Sequence, residues 1–319
     1  MKLPRLVVTS LALLAVAATF ALVLDAGKQV KAQGASPQGV QVQKDLVYAT
    51  HDGVELKGDL YAPAGPGPFP ALVLFHGGGW QAGSKAGWAS WGNYLARHGY
   101  VAFAAAYRLS KPNRPSFMES IWDTKAAVQY LRGRAAQLKV DPDRIGAMGA
   151  SAGGHLAAML ALTGDNQKFA NPYAADPHRS ASARIKVAIP VYGVFDMIQQ
   201  WEHDQLARPR DQITEKYLGG TPVDIRERFY EASPLYHASR QNAQGTRWLV
   251  AWGTKDDIVD SDRQSEVFVA HLKRAGATVR TVPIDGAPHF WLNDAPVDQE
   301  GSHNAYFAPR LLNFLRSYL

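Results

Sequence analysis

Arg144-Ile145-Gly146-Ala147-Met148-Gly149-Ala150-Ser151-Ala152-Gly153-Gly154 is the stretch from which the rest of the chain can be placed. Its first part, Arg144–Met148, apolar after the opening arginine, reads as a strand. Its last residues lead into Ala152–Leu162, rich in Ala and Leu, which reads as a helix. The segment between them, Gly149 to Gly153, must then be a sharp turn with Ser151 at its tip. The flanking glycines relieve the crowding such a turn creates, and the hydroxyl is lifted clear. A G-x-S-x-G pattern alone fits a plain glycine-rich turn. The strand–turn–helix setting favours a serine nucleophile instead. His155, one helical turn on, reads as a packed histidine.

A second apolar run, Ala71–Phe75, is followed directly by His76-Gly77-Gly78-Gly79-Trp80. Acyl transfer builds negative charge on a carbonyl oxygen, and fixed N–H donors at that oxygen lower the barrier. Glycines let the main chain approach closely. The expected donors are Gly77 and Gly78, with Ala152 as the third and Gly79 as an alternative. His76 reads as a brace for this loop.

A serine hydroxyl needs a base, and the base needs an acid to orient it. After the apolar run Trp248–Trp252 comes Gly253-Thr254-Lys255-Asp256-Asp257, and after a strand ending at Ile284 comes Asp285-Gly286-Ala287-Pro288-His289. Beyond the Asp256-Asp257 pair the histidines are His271, inside a helix pattern, His303, well past the last strand, and His289. His289 is therefore the expected base. Asp256 is favoured over Asp257 as the acid, and Asp285 reads as a turn residue.

The remaining elements alternate. Val40–Thr50 and Val54–Tyr61 flank Asp52-Gly53 and predict an antiparallel hairpin. Further strands are expected at Tyr100–Tyr107, Ile185–Tyr192 and Thr278–Ile284. Helices are expected over Ser116–Leu138, ended by Asp141-Pro142, over Asp262–Ala275, and over Asn304–Tyr318. Strands separated by helices imply a mainly parallel sheet. Asp196–Arg240 shows no strand pattern and would lie above the sheet as a partial lid or pocket wall.

The chain has 319 residues, 46% of them hydrophobic, enough for one large α/β domain. It opens with Lys2 and Arg5, an apolar stretch through Leu24, and Val30-Lys31-Ala32. That order predicts a cleaved export signal over residues 1–32, and a periplasmic or secreted protein. An uncleaved membrane anchor through residues 6–24, facing outside the cytoplasm, is the alternative. Residues 33–42 read as a linker and 43–319 as the catalytic domain. Removing residues 1–32 loses Lys2, Arg5, Lys28 and Lys31 against Asp25, which lowers the formal charge of +6 by three to +3. With no Lys/Arg run, nucleic acid is not an expected partner. The absence of cysteine excludes disulfides, thiolate metal sites, cysteine nucleophiles and a lipoprotein anchor.

Taken together, His76–Trp80, Tyr107-Arg108-Leu109, Asp141–Ile145, Gly149–Gly154, Gly253–Asp256 and His289 carry a family resemblance. The chain resembles α/β-hydrolase esterases related to hormone-sensitive lipase, acetyl-xylan and feruloyl esterases, and kynurenine formamidase, over roughly residues 43–319. The resemblance implies the α/β-hydrolase fold, a mainly parallel sheet with helices on both faces, and it matches the acid to Asp256. Trp252 departs from the pattern, since such esterases often carry a polar residue before the glycine. Gly153-Gly154-His155 looks more like the formamidase and carbohydrate-esterase side. The expected function is an exported serine esterase without metal or organic cofactor, acting on small or carbohydrate-linked acyl esters, acetyl and feruloyl included. An amidase, formamidase or peptidase with the same triad is the second reading. A non-catalytic binding protein on the same scaffold is the third, disfavoured because serine, acid and histidine are all present.

Overall fold

The computed structural model describes residues 39–319, so the export signal, the anchor alternative and most of the linker lie outside the described residues. Eight strands form one sheet: β1 (Val40–His51), β2 (Val54–Pro63), β3 (Phe69–Phe75), β4 (Val101–Ala105), β5 (Val140–Ala150), β6 (Val187–Val191), β7 (Arg247–Gly253) and β8 (Thr278–Ile284). Their order across the sheet is β1-β2-β4-β3-β5-β6-β7-β8. The hairpin β1–β2 and the β2–β4 pair are antiparallel, and every pairing from β4 to β8 is parallel. This is the α/β-hydrolase arrangement the resemblance implied.

Eleven α-helices surround the sheet among the described residues: α1 (Ala89–Arg97), α2 (Phe117–Gly133), α3 (Ala135–Leu138), α4 (Ala152–Thr163), α5 (Met197–Ala207), α6 (Ile213–Leu218), α7 (Arg226–Glu231), α8 (Pro234–His237), α9 (Arg240–Ala243), α10 (Val267–Arg274) and α11 (His303–Tyr318). Strand side chains alternate between faces, and β3 shows why its run is apolar throughout. Ala71, Val73 and Phe75 join a core with Ile121 and Val128 of α2, Leu156 and Met159 of α4, and Phe268 of α10. Leu72 and Leu74 join the opposite core, with Trp91 and Leu95 of α1 and Leu311 and Leu315 of α11. None of these described helices is long and apolar enough to cross a membrane.

Three expectations need correction. The helix over Ser116–Leu138 is two helices, because Arg134 leaves helical backbone angles and splits α2 from α3. Gly133 stands at the break, where a Cβ would meet His178 Nδ1 at 2.4 Å, so tight packing and low helix propensity coincide. Asp141-Pro142 does not end that helix. Lys139 does, in the left-handed conformation, and Asp141-Pro142 already belongs to β5. The proline falls where the β3–β5 register slips between Val140 and Ile145, so its missing N–H costs no ladder bond there. Third, the helix expected over Asp262–Ala275 begins as a π-helical turn, Asp262–Glu266. There Gln264 is drawn inward to accept from the N–H groups of Phe195 and Asp196 and to donate to the Asp196 carbonyl, a tertiary demand that local spacing does not reveal.

Candidate active site

Ser151 sits between β5 and α4 with φ 57° and ψ −121°, a conformation a side-chain-bearing residue rarely adopts. Such strain costs about 1–3 kcal/mol and persists because its surroundings over-determine it. The Ser151 N–H donates to Val191 O of β6 at 2.9 Å, and the Ser151 carbonyl accepts from His155 N–H in α4 at 3.0 Å. A Cβ on Gly149 would lie 2.0 Å from Gly153 O, and one on Gly153 would lie 2.0 Å from Phe75 O. The two flanking glycines are thus required by close backbone approach.

Asp256 and His289 follow β7 and β8. His289 Nδ1 lies 2.7 Å from Asp256 Oδ2, and His289 Nε2 lies 2.8 Å from Ser151 Oγ. A carboxylate can only accept, so Nδ1 carries the proton and Nε2 is left to accept from the serine hydroxyl. Both side chains of the pair are buried. Asp256 Oδ1 accepts from the N–H groups of Ile258 and Val259 at 3.0 and 2.8 Å, which fixes the carboxylate's orientation. Asp257 is exposed, and only its carbonyl is engaged, by His203 Nε2 at 3.1 Å. Asp285 accepts from Thr254 Oγ1 within the neighbouring turn.

The loop after β3 is held from below. Tyr107 Oη donates to His76 O at 2.7 Å, the His76 and Tyr107 rings stack at 4.4 Å, and Ser110 N–H donates to Trp80 O at 2.8 Å. Burial lowers the His76 pKa, which keeps the ring neutral beside the loop it supports. Gly77 packs against the nucleophile's turn, since a Cβ there would be 3.1 Å from Ser151 Cβ. Gly78 and Ala152 line the cavity at Ser151. Ala152 is the first residue of α4, where N–H groups have no intrahelical acceptor and the helix dipole is positive.

Ser151 opens onto two cavities, of about 330 and about 230 Å³. The larger is walled by the 78–81 loop, by Ile258 and Val259, and by Gln200, Arg208, Arg210, Asp211, Ile213 and Lys216 from the Asp196–Arg240 stretch. The smaller is lined by Gly77, Ser84, Tyr192, Phe290 and Asn293. Sequence reasoning missed the arginine and lysine wall, because nothing in their spacing relates them to Ser151. Trp88, Trp91 and Trp291, which the sequence leaves open between pocket wall and core, are core residues, and Trp201 is turned to donate to Glu215 at 2.6 Å. Trp80 lines the larger cavity instead, donating to His155 Nδ1 at 3.2 Å. His155 donates in turn to Ala232 O at 2.8 Å, and burial pushes its pKa down to about 3, so it stays neutral. Among the described residues no group of His, Asp or Glu is arranged to hold a metal ion.

With this geometry in view, residues 59–272 match the family model described as BD-FAE. The chain belongs to the BD-FAE family. Esterase LipQ of Mycobacterium tuberculosis is 31% identical over 223 residues, 69% of this chain and 50% of that protein. The probable carboxylic ester hydrolase LipM of the same organism is 30% identical over 212 residues, 65% of this chain and 46% of the relative. This BD-FAE chain thus spans about half the length of those curated relatives. It spans more of the kynurenine formamidase of Danio rerio, at 25% identity over 81% of this chain and 78% of that one. Among solved structures, the thermophilic esterase Est2 of Thermogutta terrifontis superposes with a TM-score of 0.67 at 29% identity, covering 86% of this chain and 91% of that one.

Proposed function

We propose that this BD-FAE protein is a carboxylic ester hydrolase in which Ser151 is the nucleophile, His289 the general base and acid, and Asp256 the orienting carboxylate. The observation that carries the reading is the continuous line from Asp256 through His289 to Ser151 Oγ, at 2.7 and 2.8 Å. His289 Nε2 takes the hydroxyl proton as Ser151 Oγ attacks the ester carbonyl carbon. The carbonyl oxygen gains negative charge beside the N–H groups of Gly77, Gly78 and Ala152. The imidazolium, held by Asp256, returns its proton to the departing alcohol and leaves an acyl-enzyme. Water then repeats the sequence, with His289 as base, and releases the acid. No metal or organic cofactor takes part.

Acetyl and feruloyl esters on carbohydrate are the substrates proposed, on the family resemblance and its carbohydrate-esterase-like Gly153-Gly154-His155 segment. Export through residues 1–32, by cleavage near Ala32 or with residues 6–24 retained as an anchor, is proposed from the N-terminal pattern alone, and no nucleic-acid partner is proposed. Fluorophosphonate labelling tests the nucleophile: the native protein should be labelled at Ser151, and Ser151→Ala should be unlabelled and unable to hydrolyse short nitrophenyl esters. Sustained hydrolysis by Ser151→Ala would falsify the assignment.

Amide hydrolysis is the second reading, supported by the formamidase similarity. It needs a leaving nitrogen held against His289 while it is protonated. Ester turnover should exceed that of the matching anilide by at least ~10³ in kcat/KM, about 4 kcal/mol. Comparable rates would move the assignment to amidase.

A further inference from the structure

The larger cavity at Ser151 has one wall of unusual charge. Arg208, Arg210 and Lys216 face it with a single carboxylate, Asp211, among them. Arg208 Nη2 pairs with Asp211, the buried Asp204 carboxylate also interacts electrostatically with Arg208, and Lys216 Nζ donates to the Asp211 backbone carbonyl at 2.7 Å, so two acids answer three cations. The nearby Glu215 is turned away, onto Trp201 Nε1. Arg210 is exposed, and no acceptor bonds its guanidinium among the described residues. Arg208 Nη1 is buried and has no hydrogen-bond partner among the described residues, as is true of Asp204 Oδ2 and Gln200 Oε1 nearby, so the polar groups at this wall are incompletely satisfied. A buried donor left unsatisfied costs about 1–3 kcal/mol, more when charged, and calls for an oxygen acceptor.

Resting on the esterase reading above, we infer that the enzyme selects esters that also carry a carboxylate, and that Arg208, Arg210 and Lys216 receive that group. A carboxylate seated there gives Arg208 Nη1 its acceptor and neutralises the cationic excess. The wall borders the cavity that holds Ser151, so the charged group and the scissile carbonyl belong to one small molecule. Field from several like charges in a low-dielectric cleft also draws an anionic substrate in, an effect that weakens as salt shortens the Debye length from about 10 Å at 0.1 M. The reaction is unchanged: water adds across the acyl–oxygen bond, and the carboxylate takes no covalent part.

The test compares isosteric pairs at low ionic strength. One pair places the charge on the acyl side: the para-nitrophenyl monoester of glutaric acid against the para-nitrophenyl ester of its monoamide, glutaramic acid. The other places it on the alcohol side: para-acetoxybenzoate against para-acetoxybenzamide. In one pair the charged ester should be favoured at least ~10-fold in kcat/KM, and the ratio should fall toward parity in added salt. The double variant Arg210→Gln/Lys216→Gln, whose side chains are exposed, should bring the same ratio close to one, and Arg208→Gln should lower it independently. Parity in both pairs overturns the inference, as does a preference that survives both variants undiminished. If no ester in either pair is turned over, the esterase reading itself falls and takes the inference with it.

Discussion

Ser151 combines two demands that conflict: its oxygen must stand at the tip of a turn, and its Cβ must tolerate φ 57°. Removing the hydroxyl should abolish turnover, but the backbone strain should separate two inactive variants. Ser151→Gly relieves the strain that Ser151→Ala retains, and should be the more stable by about 1 kcal/mol after the added chain entropy of glycine is counted. Urea unfolding of the two variants reads this directly. Equal midpoints would mean the turn is not strained at Ser151. At the acid, Asp256→Asn keeps the size but no longer imposes the proton on His289 Nδ1. It should cost on the order of 10⁴-fold in kcat, the scale seen when a triad loses its carboxylate. Asp257→Asn, at an exposed side chain, should stay within about threefold of the native rate. Steady-state kinetics on one nitrophenyl ester compares both, and a reversed order would move the acid to Asp257.

At the scale of elements, the loop after β4 ties the floor of the site to the scaffold. Tyr107 supports His76, while the next residue, Arg108, reaches Asp123 of α2 through Nη2 at 2.8 Å and Asp52 of the β1–β2 turn through Nη1 at 2.8 Å. Arg108 and Asp123 are both buried, so removing one partner strands the other's charge in the interior. Asp123→Ala should destabilise the protein by about 3–5 kcal/mol. Tyr107→Phe should be milder, at about 1–2 kcal/mol for one buried hydrogen bond. It should lower kcat more than it raises KM, because the loop it releases carries the donors proposed for the transition state. An effect on KM alone would mean that this contact only shapes the pocket.

Across the whole molecule, the same network makes stability depend on pH. His51, at the end of β1, lies 2.9 Å from Asp123 and at ion-pair distance, 3.5 Å, from Asp176. Burial opposes its charge, but the hydrogen bond to Asp123 and the nearby Asp176 carboxylate outweigh burial and raise its pKa above the ordinary 6.5. Burial likewise opposes the Asp176 charge, yet His51, the His178 N–H and Asn171 hold its pKa below the ordinary 3.8. A raised histidine contributes stability that is fully present below 6.5 and is lost as pH rises through the folded value. A lowered aspartate contributes stability that is present above 3.8 and is lost as pH falls through its own folded value. The pair should therefore support the fold most between those limits. His51→Gln should flatten the fall in Tm on the neutral side of 6.5, and unchanged curvature there would place the pH dependence elsewhere.

Much of this protein is written locally. The strand–turn–helix around Ser151 can be read from eleven consecutive residues, because the crowding that demands Gly149 and Gly153 arises within the turn and the strand beside it. The central strands β3, β4, β6 and β7 follow from apolar runs between turn signals, since burial on both faces leaves a composition that survives in one dimension. Sequence order also places Ser151, Asp256 and His289 after β5, β7 and β8 of a parallel sheet, whose carboxyl ends share one edge. Tertiary structure decided what depends on orientation. Asp256 and Asp257 are adjacent and chemically identical; the sequence favours Asp256, and the inward turn fixed by the Ile258 and Val259 N–H groups is what brings its carboxylate to His289. The split at Arg134, the strand membership of Pro142 and the π turn at Gln264 arise from contacts with His178, β3 and Asp196, remote in sequence or set by packing. The basic wall is the extreme case. Arg208, Arg210 and Lys216 lie in a stretch with no strand pattern, and their meeting with Ser151 across a cavity results from how helices α5 and α6 pack above the sheet, which no local periodicity encodes.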